Sequence, residues 1–410
     1  MSVEHAATSV SLANVHASRA VISDVAKRTP IVTSTTLSER FGRPIVLKAE
    51  NLQRTGAFKI RGAMNKVAQV AALGDADKGV TTASAGNHAQ ALALAARHHR
   101  VRCEIFVPAG AAITKIEACR AHGAEVVEVG ASFEDAMAAA RERARDRRMT
   151  LCHPFDDPAV VAGQGTLGLE LVDDIPDLAC VVVPLGGGGL AAGVAIAVKS
   201  LVPDIRVIGV QAAVCAPYAG DSAPAGAVLT LADGIAVKRP GEFTGPLIDH
   251  WVDEIVVVDE DAIADAMVML MDRAKLYVEG AGAVGVAALR TSAVSPAEFG
   301  TTCVILSGGN VDLGLVPGLI RRHETAAGRR LVIFARIDDR PGSLVRLLGV
   351  FADAGANLVE VQHEREGVNL HVRQTGVHAT FEVRGRDHAR KVVEAAQEAG
   401  YPDLHVASNL

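Results

Sequence analysis

The chain has 410 residues, a length at which two or three domains are expected. Hydrophobic residues make up 49% and charged residues 21% of it, which is typical of a globular protein and excludes a disordered one. The net charge of −6 gives no reason to expect nucleic acid or an anionic membrane as a partner.

Cysteine usage and apolar stretches bear on the compartment. Six cysteines occur without a Cys-x-x-Cys pair, which argues against structural zinc and disulfides, so no metal site and a cytoplasmic protein are predicted. Glu4 and His5 lie in an N-terminus without a long apolar run, so no secretory signal is expected. Residues 178–198 carry no charge, but Pro184 and four glycines favour a strand, a loop and a buried helix over a membrane span.

Short β-branched runs alternate with alanine-rich helical stretches along the first three quarters of the chain. This alternation predicts an α/β region with parallel sheets covered on both faces. The predicted strands include 101–107, 125–129, 179–184, 205–210 and 303–306.

The composition changes near residue 321, where the polar segment 321–330 is typical of an interdomain linker. Beyond it the predicted order is β-α-β-β-α-β, a ferredoxin-like arrangement. Its predicted elements are 331–337, 342–354, 357–362, 378–383, 388–399 and 401–406. We therefore predict a catalytic domain at 1–325, with a smaller subdomain at roughly 50–150 inserted in it, and a second domain at 330–410.

Lys59 is the leading candidate for chemistry. It lies among Ala57, Phe58 and Ile60, and Arg54 and Arg61 are near in sequence. Burial and neighbouring cations both lower the pKa of an amine, which makes it a nucleophile or a carbonyl-binding group. Because lysines flanked by apolar residues are common, this stretch alone is weak evidence.

The loop Ser84-Ala85-Gly86-Asn87-His88 lies between a predicted strand end at 80–82 and a helical stretch at 91–97. Ser84 and Asn87 are residue types that commonly cap helices. Capping by itself would explain both residues if the loop were considered alone. The same small polar residues also form an anion-binding loop suited to a carboxylate.

Four glycines, Gly186, Gly187, Gly188 and Gly189, follow a predicted strand and precede Leu190 in an apolar helical stretch. Such a loop lets several N–H groups converge on an anion at a helix N-terminus. A dinucleotide site would require an acidic residue after the next strand, where this chain has Gln211. A monophosphate is therefore favoured over a dinucleotide.

Ser307 follows the predicted strand 303–306 and precedes two glycines, at the carboxyl edge where open α/β sheets bind ligands. Alone it is typical of an ordinary turn. Together, an amine, a phosphate loop, a polar helix-start loop and a strand-end serine are what pyridoxal 5'-phosphate requires of a protein.

The chain resembles the pyridoxal-phosphate-dependent threonine ammonia-lyases of fold type II over almost its whole length. The resemblance implies that Lys59 bonds to the cofactor aldehyde beside Phe58, and that Gly186–Leu190 hold its phosphate. It also implies that Asn87 contacts the ring hydroxyl, that Ser307 faces the ring nitrogen, and that residues 84–88 receive the substrate carboxylate. The segments that carry it are 50–62, 84–90, 186–190, 232–237, 279–283 and 307–310.

The implied reaction is conversion of L-threonine to 2-oxobutyrate and ammonia, or of L-serine to pyruvate, with Lys59 as the base. A neutral serine at the ring nitrogen suits elimination over transamination. Serine racemase or hydroxyaspartate dehydratase is the alternative. Gln211 stands where racemases have an acidic metal ligand, whereas Ser84 matches their second catalytic residue.

The last domain resembles an ACT domain, in which Gly342 begins a helix that can receive a carboxylate. The resemblance implies pairing into a homodimer or homotetramer and feedback by a branched-chain amino acid such as isoleucine. A different function class, an amino-acid-sensing protein with a decayed catalytic scaffold, is disfavoured by the intact cofactor motifs. The implied effector residues are Asp339, Pro341, Gly342, Leu344 and Asn357.

Overall fold

The computed structural model describes residues 10–220, 226, 228–365 and 370–407. The expectation about Glu4 and His5 lies outside this part of the chain. The chain divides into two compact units, Met1–Val311 and Asp312–Leu410. Within the described ranges, no helix has both the length and the apolar composition that crossing a bilayer requires.

The first unit contains two sheets. A six-stranded sheet has the order β1-β2-β10-β7-β8-β9 and is parallel except for the pairing of β1 with β2. A smaller four-stranded sheet has the order β5-β4-β3-β6 and is wholly parallel. The strands are β1 Ile31–Thr33, β2 Ile45–Ala49, β3 Val80–Ala83, β4 Cys103–Val107, β5 Glu125–Glu128, β6 Thr150–Leu151, β7 Leu178–Pro184, β8 Arg206–Ala212, β9 Glu254–Val258 and β10 Thr301–Leu306.

Helices separate these strands and bury their small residues against one another. A Cβ placed on Gly193 would lie 2.3 Å from the carbonyl oxygen of Val161, so the helices that contain these two residues approach closely only because glycine is there. The helices are Leu12–Ile22, Thr35–Phe41, Lys59–Ala72, Asn87–His99, Ile113–Ala121, Phe133–Arg147, Pro158–Asp174, Gly189–Leu201, Thr244–Trp251, Glu260–Met269 and Gly280–Arg290.

The second unit is an antiparallel sheet of order β12-β13-β11-β14 that packs its apolar face against two helices. Its strands are β11 Arg330–Asp338, β12 Asn357–Glu364, β13 Gln374–Glu382 and β14 His405–Val406, and its helices are Val316–Ala326, Ser343–Asp353 and Arg386–Glu398. The α/β class and the ferredoxin-like order are confirmed.

Differences from the predicted boundaries are small but instructive. Strand β8 continues to Ala212, so Gln211 lies inside the strand instead of following it. The final strand has only two residues of the six predicted. Residues 321–326, predicted as linker, form the end of the helix Val316–Ala326. The predicted domain boundaries stay predictions.

Candidate active site

Lys59 begins the helix Lys59–Ala72, and its side chain is partly buried. Its Nζ donates to the carbonyl of Pro154 at 3.0 Å and lies 5.0 Å from the centre of the Phe58 ring. Burial lowers the pKa of Lys59 to about 8, and Glu279 offsets part of that effect. The lysine is therefore a partly buried amine that is easily deprotonated.

The expectation that Arg54 and Arg61 help to lower this pKa is wrong. The Arg54 guanidinium donates to the carbonyl of Val25, and Arg61 is held by two carboxylates. A cation that is paired with carboxylates adds little positive potential at a neighbour, so burial is what changes Lys59.

Arg61 lies two residues after Lys59 in a fully buried network. Its guanidinium donates to both oxygens of Glu50 at 2.8 Å, and to both oxygens of Glu170 at 2.7 and 3.0 Å. Burial alone would lower the pKa of Arg61, but the two carboxylates raise it. Lys48 completes the network, with its Nζ 2.7 Å from Glu170.

The glycine loop lies at the carboxyl end of β7, and Gly188 (φ +90°) precedes the helix Gly189–Leu201. A Cβ on Gly187 would lie 2.3 Å from the Phe155 ring, so no other residue fits there. The Gly187 carbonyl accepts from the hydroxyls of Thr244 at 2.6 Å and Tyr218 at 3.4 Å. With that carbonyl held, N–H groups at the helix N-terminus stay available for an anion.

Gln211 supports the same loop from β8. Its Nε2 donates to the carbonyl of Leu185 at 3.3 Å, and its Oε1 accepts from the N–H groups of Tyr218 and Ala219 at 3.0 and 3.2 Å. The amide is thus committed to backbone partners. The described residues contain no cluster of three or more His, Cys, Asp or Glu arranged to hold a metal ion.

The loop that follows β3 leads into the helix Asn87–His99, but neither Ser84 nor Asn87 caps it with a side-chain hydrogen bond. The Ser84 hydroxyl instead accepts from the N–H of Gly86 at 3.2 Å. His88 is buried with Nε2 3.1 Å from the Cys152 carbonyl, and burial together with Lys59 lowers its pKa to about 3. The His88 side chain is therefore neutral.

Ser307 ends β10, the strand that pairs with β7. Its carbonyl accepts from the N–H of Phe58 at 3.0 Å, so the strand end and the start of the lysine helix are bonded directly. The side chain of Ser307 is buried, at 3% exposed.

Glu279 and Asn310 were assigned no role from the sequence, although both lie in segments that carry the family resemblance. Asn87 Nδ2 donates to Glu279 Oε1 at 2.8 Å, and Asn310 Nδ2 donates to Asn87 Oδ1 at 2.7 Å. Burial, and secondarily Asp233, raises the pKa of Glu279 to about 7. No sequence signal brings these residues together, because the contacts span about 200 positions.

The geometry of the first unit fits pyridoxal phosphate on three counts. Lys59 is a partly buried amine of lowered pKa, the Gly187 carbonyl is held by hydroxyls at the start of a helix, and the buried Ser307 lies next to the strand end that is bonded to the lysine helix. All six cysteines are buried and free, and none of them is among the residues of these three features.

In the second unit, the turn between β11 and the helix Ser343–Asp353 borders a cavity of about 420 Å³. Asp339, Pro341, Gly342 and Leu344 line it, whereas Asn357 does not. Asn357 instead donates to Glu382 at 2.9 Å on the sheet. The cavity also contains His363, Arg365 and Thr375, which sequence analysis missed.

Comparison with known proteins identifies two matching regions. Residues 22–308 match the family model described as pyridoxal-phosphate dependent enzyme, and residues 331–400 match the ACT domain. An L-threonine ammonia-lyase of Geobacter sulfurreducens is 46% identical over 381 residues, which cover 92% of this chain and 94% of that protein.

Two further relatives extend this finding. An L-threonine ammonia-lyase of Thermotoga maritima is 40% identical over 397 residues, covering 96% of this chain and 98% of that protein. The structure of maize serine racemase is similar with a TM-score of 0.71 and 34% identity, covering 77% of this chain and 98% of that one.

Proposed function

Because the chain belongs to the family of pyridoxal-phosphate dependent enzymes and carries an ACT domain, we propose that it is an L-threonine ammonia-lyase. It converts L-threonine to 2-oxobutyrate and ammonia, and L-serine to pyruvate by the same route. The observation that carries the proposal is the partly buried Lys59 amine, bonded through Phe58 to the Ser307 strand end in a chain similar to two such lyases over nearly its full length.

The bound cofactor supplies an electron sink that acidifies the Cα–H bond of the amino acid. The chain supplies the remaining functions. N–H groups of Gly186–Leu190 would hold the phosphate, Phe58 would lie beside the bound group, and Ser307 would offer a neutral hydroxyl to the ring nitrogen. Ser84–His88 bind and orient the substrate carboxylate at the start of the helix Asn87–His99.

Lys59 Nζ removes the Cα proton as the general base, and its lowered pKa supports that role. The Cα–H electron pair then forms the double bond to Cβ as the Cβ–O bond breaks, and the hydroxyl leaves as water after gaining a proton. The released enamine hydrolyses to the oxo acid and ammonia.

Serine racemase is the competing assignment, favoured by the similarity to the maize structure and by Ser84 as a proton donor on the opposite face. Two observations weigh against it. Gln211 is committed to three backbone bonds at the position of the expected acidic ligand, and the relatives matched over most of the chain are ammonia-lyases.

We further propose that the cavity of the second unit binds a branched-chain amino acid. Arg340 and Arg365 border it and offer charge for a carboxylate, and Leu344 and Val345 offer apolar surface for the side chain. All eight residues of β12 are exposed, which supports pairing through this strand into a homodimer or homotetramer. The cytoplasm is the compartment we propose.

A substrate panel tests the assignment. The full chain is incubated with pyridoxal phosphate and with L-threonine, L-serine, D-serine or 3-hydroxyaspartate, each with and without isoleucine or valine. We expect 2-oxobutyrate from L-threonine as the fastest product. Racemisation of serine at a higher rate than deamination would establish the competing assignment, and a protein without visible absorbance after incubation would refute both.

A further inference from the structure

We propose that Asn310 and Glu279 are positioning residues that hold the Asn87 amide in one orientation, with an N–H turned towards the ring hydroxyl of the cofactor. The inference rests on the proposed function, because the contact between Asn87 and that hydroxyl is part of it. It assigns a function to two side chains that the mechanism above does not use.

The orientation can be deduced from one end of the hydrogen-bond chain. The carbonyl of Thr55 can only accept, so the side chain of Asn310 must present its NH₂ group there, at 2.8 Å. The same nitrogen reaches Asn87 Oδ1 at 2.7 Å, which uses its second hydrogen. Asn87 must therefore face Asn310 with its oxygen.

The other end of the hydrogen-bond chain, at Glu279, requires the same orientation of Asn87. The Glu279 carboxylate accepts from Asn87 Nδ2 at 2.8 Å. If the Asn87 amide were turned over, its oxygen would oppose the Glu279 carboxylate and its NH₂ group would oppose that of Asn310. The contact between the two NH₂ groups would be repulsive at any protonation state of Glu279, and the contact with Glu279 would be repulsive while that carboxylate is ionised, so the protein has one stable arrangement.

Packing prevents Asn310 from leaving this position. Gly56 has φ +72°, and a Cβ added to it would lie 2.5 Å from Asn310 Oδ1. The carbonyl end of the Asn310 amide is thus in contact with the backbone of the segment that leads to Lys59. Glu279 is equally fixed, because its own N–H donates to the carbonyl of Gly308 at 3.0 Å.

One hydrogen of Asn87 Nδ2 remains without an acceptor in the described part of the chain. Asn87 is the first residue of its helix and lies within the segment Ser84–His88 that is proposed to bind the substrate carboxylate. An N–H donor directed at the ring hydroxyl stabilises the ionised form of that oxygen. Asn310 and Glu279 thereby determine whether Asn87 offers the cofactor a donor or an acceptor.

The test measures the dissociation constant of pyridoxal phosphate and the pH midpoint of the visible absorbance of the bound cofactor. Asn310→Asp has no hydrogen to give to Thr55 or Asn87. We expect the dissociation constant to rise about ten- to a hundredfold and the midpoint to move to higher pH. Glu279→Leu should raise the dissociation constant and the midpoint in the same way. Glu279→Gln keeps an acceptor for Asn87, so its dissociation constant should stay within about threefold of the wild-type value.

Asn51→Asp is the matched control, because Asn51 is a buried asparagine that donates to the carbonyl of Tyr277 and does not contact Asn87. Affinities that are equal in Asn310→Asp and Asn51→Asp would overturn the inference. Equal losses in Glu279→Leu and Glu279→Gln would also overturn it, since charge and not orientation would then matter.

Two further controls distinguish failure of the proposed function, or of folding, from failure of this inference. If the wild type binds no cofactor, or if Lys59→Ala leaves the absorbance unchanged, the proposed function fails before the inference is tested. Where circular dichroism shows that Asn310→Asp is unfolded, Asn310→Ala removes the same donor without adding charge. The inference then requires the same weakening of cofactor binding.

Discussion

Lys59 and Arg61 are two cations on the first turn of one helix, and their surroundings shift their pKa values in opposite directions. Arg61 is surrounded by Glu50 and Glu170, which raise its pKa. Lys59 has the carbonyl of Pro154 as its hydrogen-bond partner and a pKa lowered to about 8. Arg61 is fully buried and Lys59 is partly buried, and what keeps Arg61 charged despite its burial is its pair of carboxylate partners.

This comparison shows how a reactive and a structural cation can be neighbours. A buried ion that is matched by carboxylates keeps its charge and joins elements of the fold. A buried ammonium without a close carboxylate loses its proton readily and becomes a base or nucleophile. Two buried carboxylates pair with Arg61, whereas the Lys59 amine donates to a backbone carbonyl.

Removal of the Lys59 amine should have the largest effect. Lys59→Ala lacks both the bond to the cofactor and the base, so the rate of 2-oxobutyrate formation should fall by at least about a thousandfold. The visible absorbance of the bound cofactor should disappear with it. Lys78→Ala, at an exposed lysine that pairs with Asp75, is the control and should retain both. Comparable activity in the two variants would refute the role of Lys59.

Removal of the Arg61 charge should instead affect folding. Arg61→Met leaves two buried carboxylates without their partner, and the free energy of unfolding should fall by about 3–5 kcal/mol. Urea unfolding of the protein measures this. Arg19→Met removes an exposed pair with Asp173 and should cost about 0–1 kcal/mol. A similar loss in both variants would contradict the structural role assigned to Arg61.

The stability cost of Lys59 should depend on pH with a defined sign. Its pKa is about 8 in the folded protein and 10.5 without burial, so between these values the unfolded chain binds a proton that the folded chain has lost. Stability of the cofactor-free protein should therefore rise with pH over this window. Lys59→Met should be more stable than the wild type by up to about 3 kcal/mol below pH 8.

That advantage should shrink as the pH rises through the window and should be absent above it. Chemical unfolding at a series of pH values measures the difference between the two proteins. A difference that stays constant with pH would show that packing, and not titration of the lysine, separates them.

The smallest expected effect concerns the acid nearest to the lysine. Glu279 raises the pKa of Lys59 against the effect of burial, so Glu279→Gln should move that pKa further below about 8. The pH dependence of Lys59 acetylation in the cofactor-free protein, followed by mass spectrometry, measures the shift. A midpoint that moves to higher pH would contradict the electrostatic assignment.

Local patterns indicated Lys59, the four glycines and Ser307 as candidates, because each lies where a strand or a helix begins or ends, and their roles stay proposals. The same patterns misjudged Arg61, since nothing near it in sequence indicates Glu170, a residue 109 positions away. Thr244, 57 positions from Gly187, and Phe155 also shape the glycine loop through contacts outside its local sequence. A sequence window shows what a residue can do, whereas its partners are determined by topology.

Gln211 illustrates a further limit. Its neutral side chain argued against an acidic ligand, but its bonds to Leu185, Tyr218 and Ala219 could not be read from the sequence. Strand β8 extends over Gln211 because β9 continues to pair with it there. Strand ends depend on such neighbours, which is why they are the boundaries that sequence patterns predict least well.

The five N–H groups of Arg61 have a mechanical consequence. Successive residues of a helix are separated by about 100°, so Lys59 and Arg61 project from nearly opposite sides of the same axis. Fixing Arg61 between Glu50 and Glu170 therefore prevents the helix from rolling. The network on one side of the helix fixes the rotation of the helix about its axis. It thereby also fixes the direction in which the Lys59 side chain points on the opposite side.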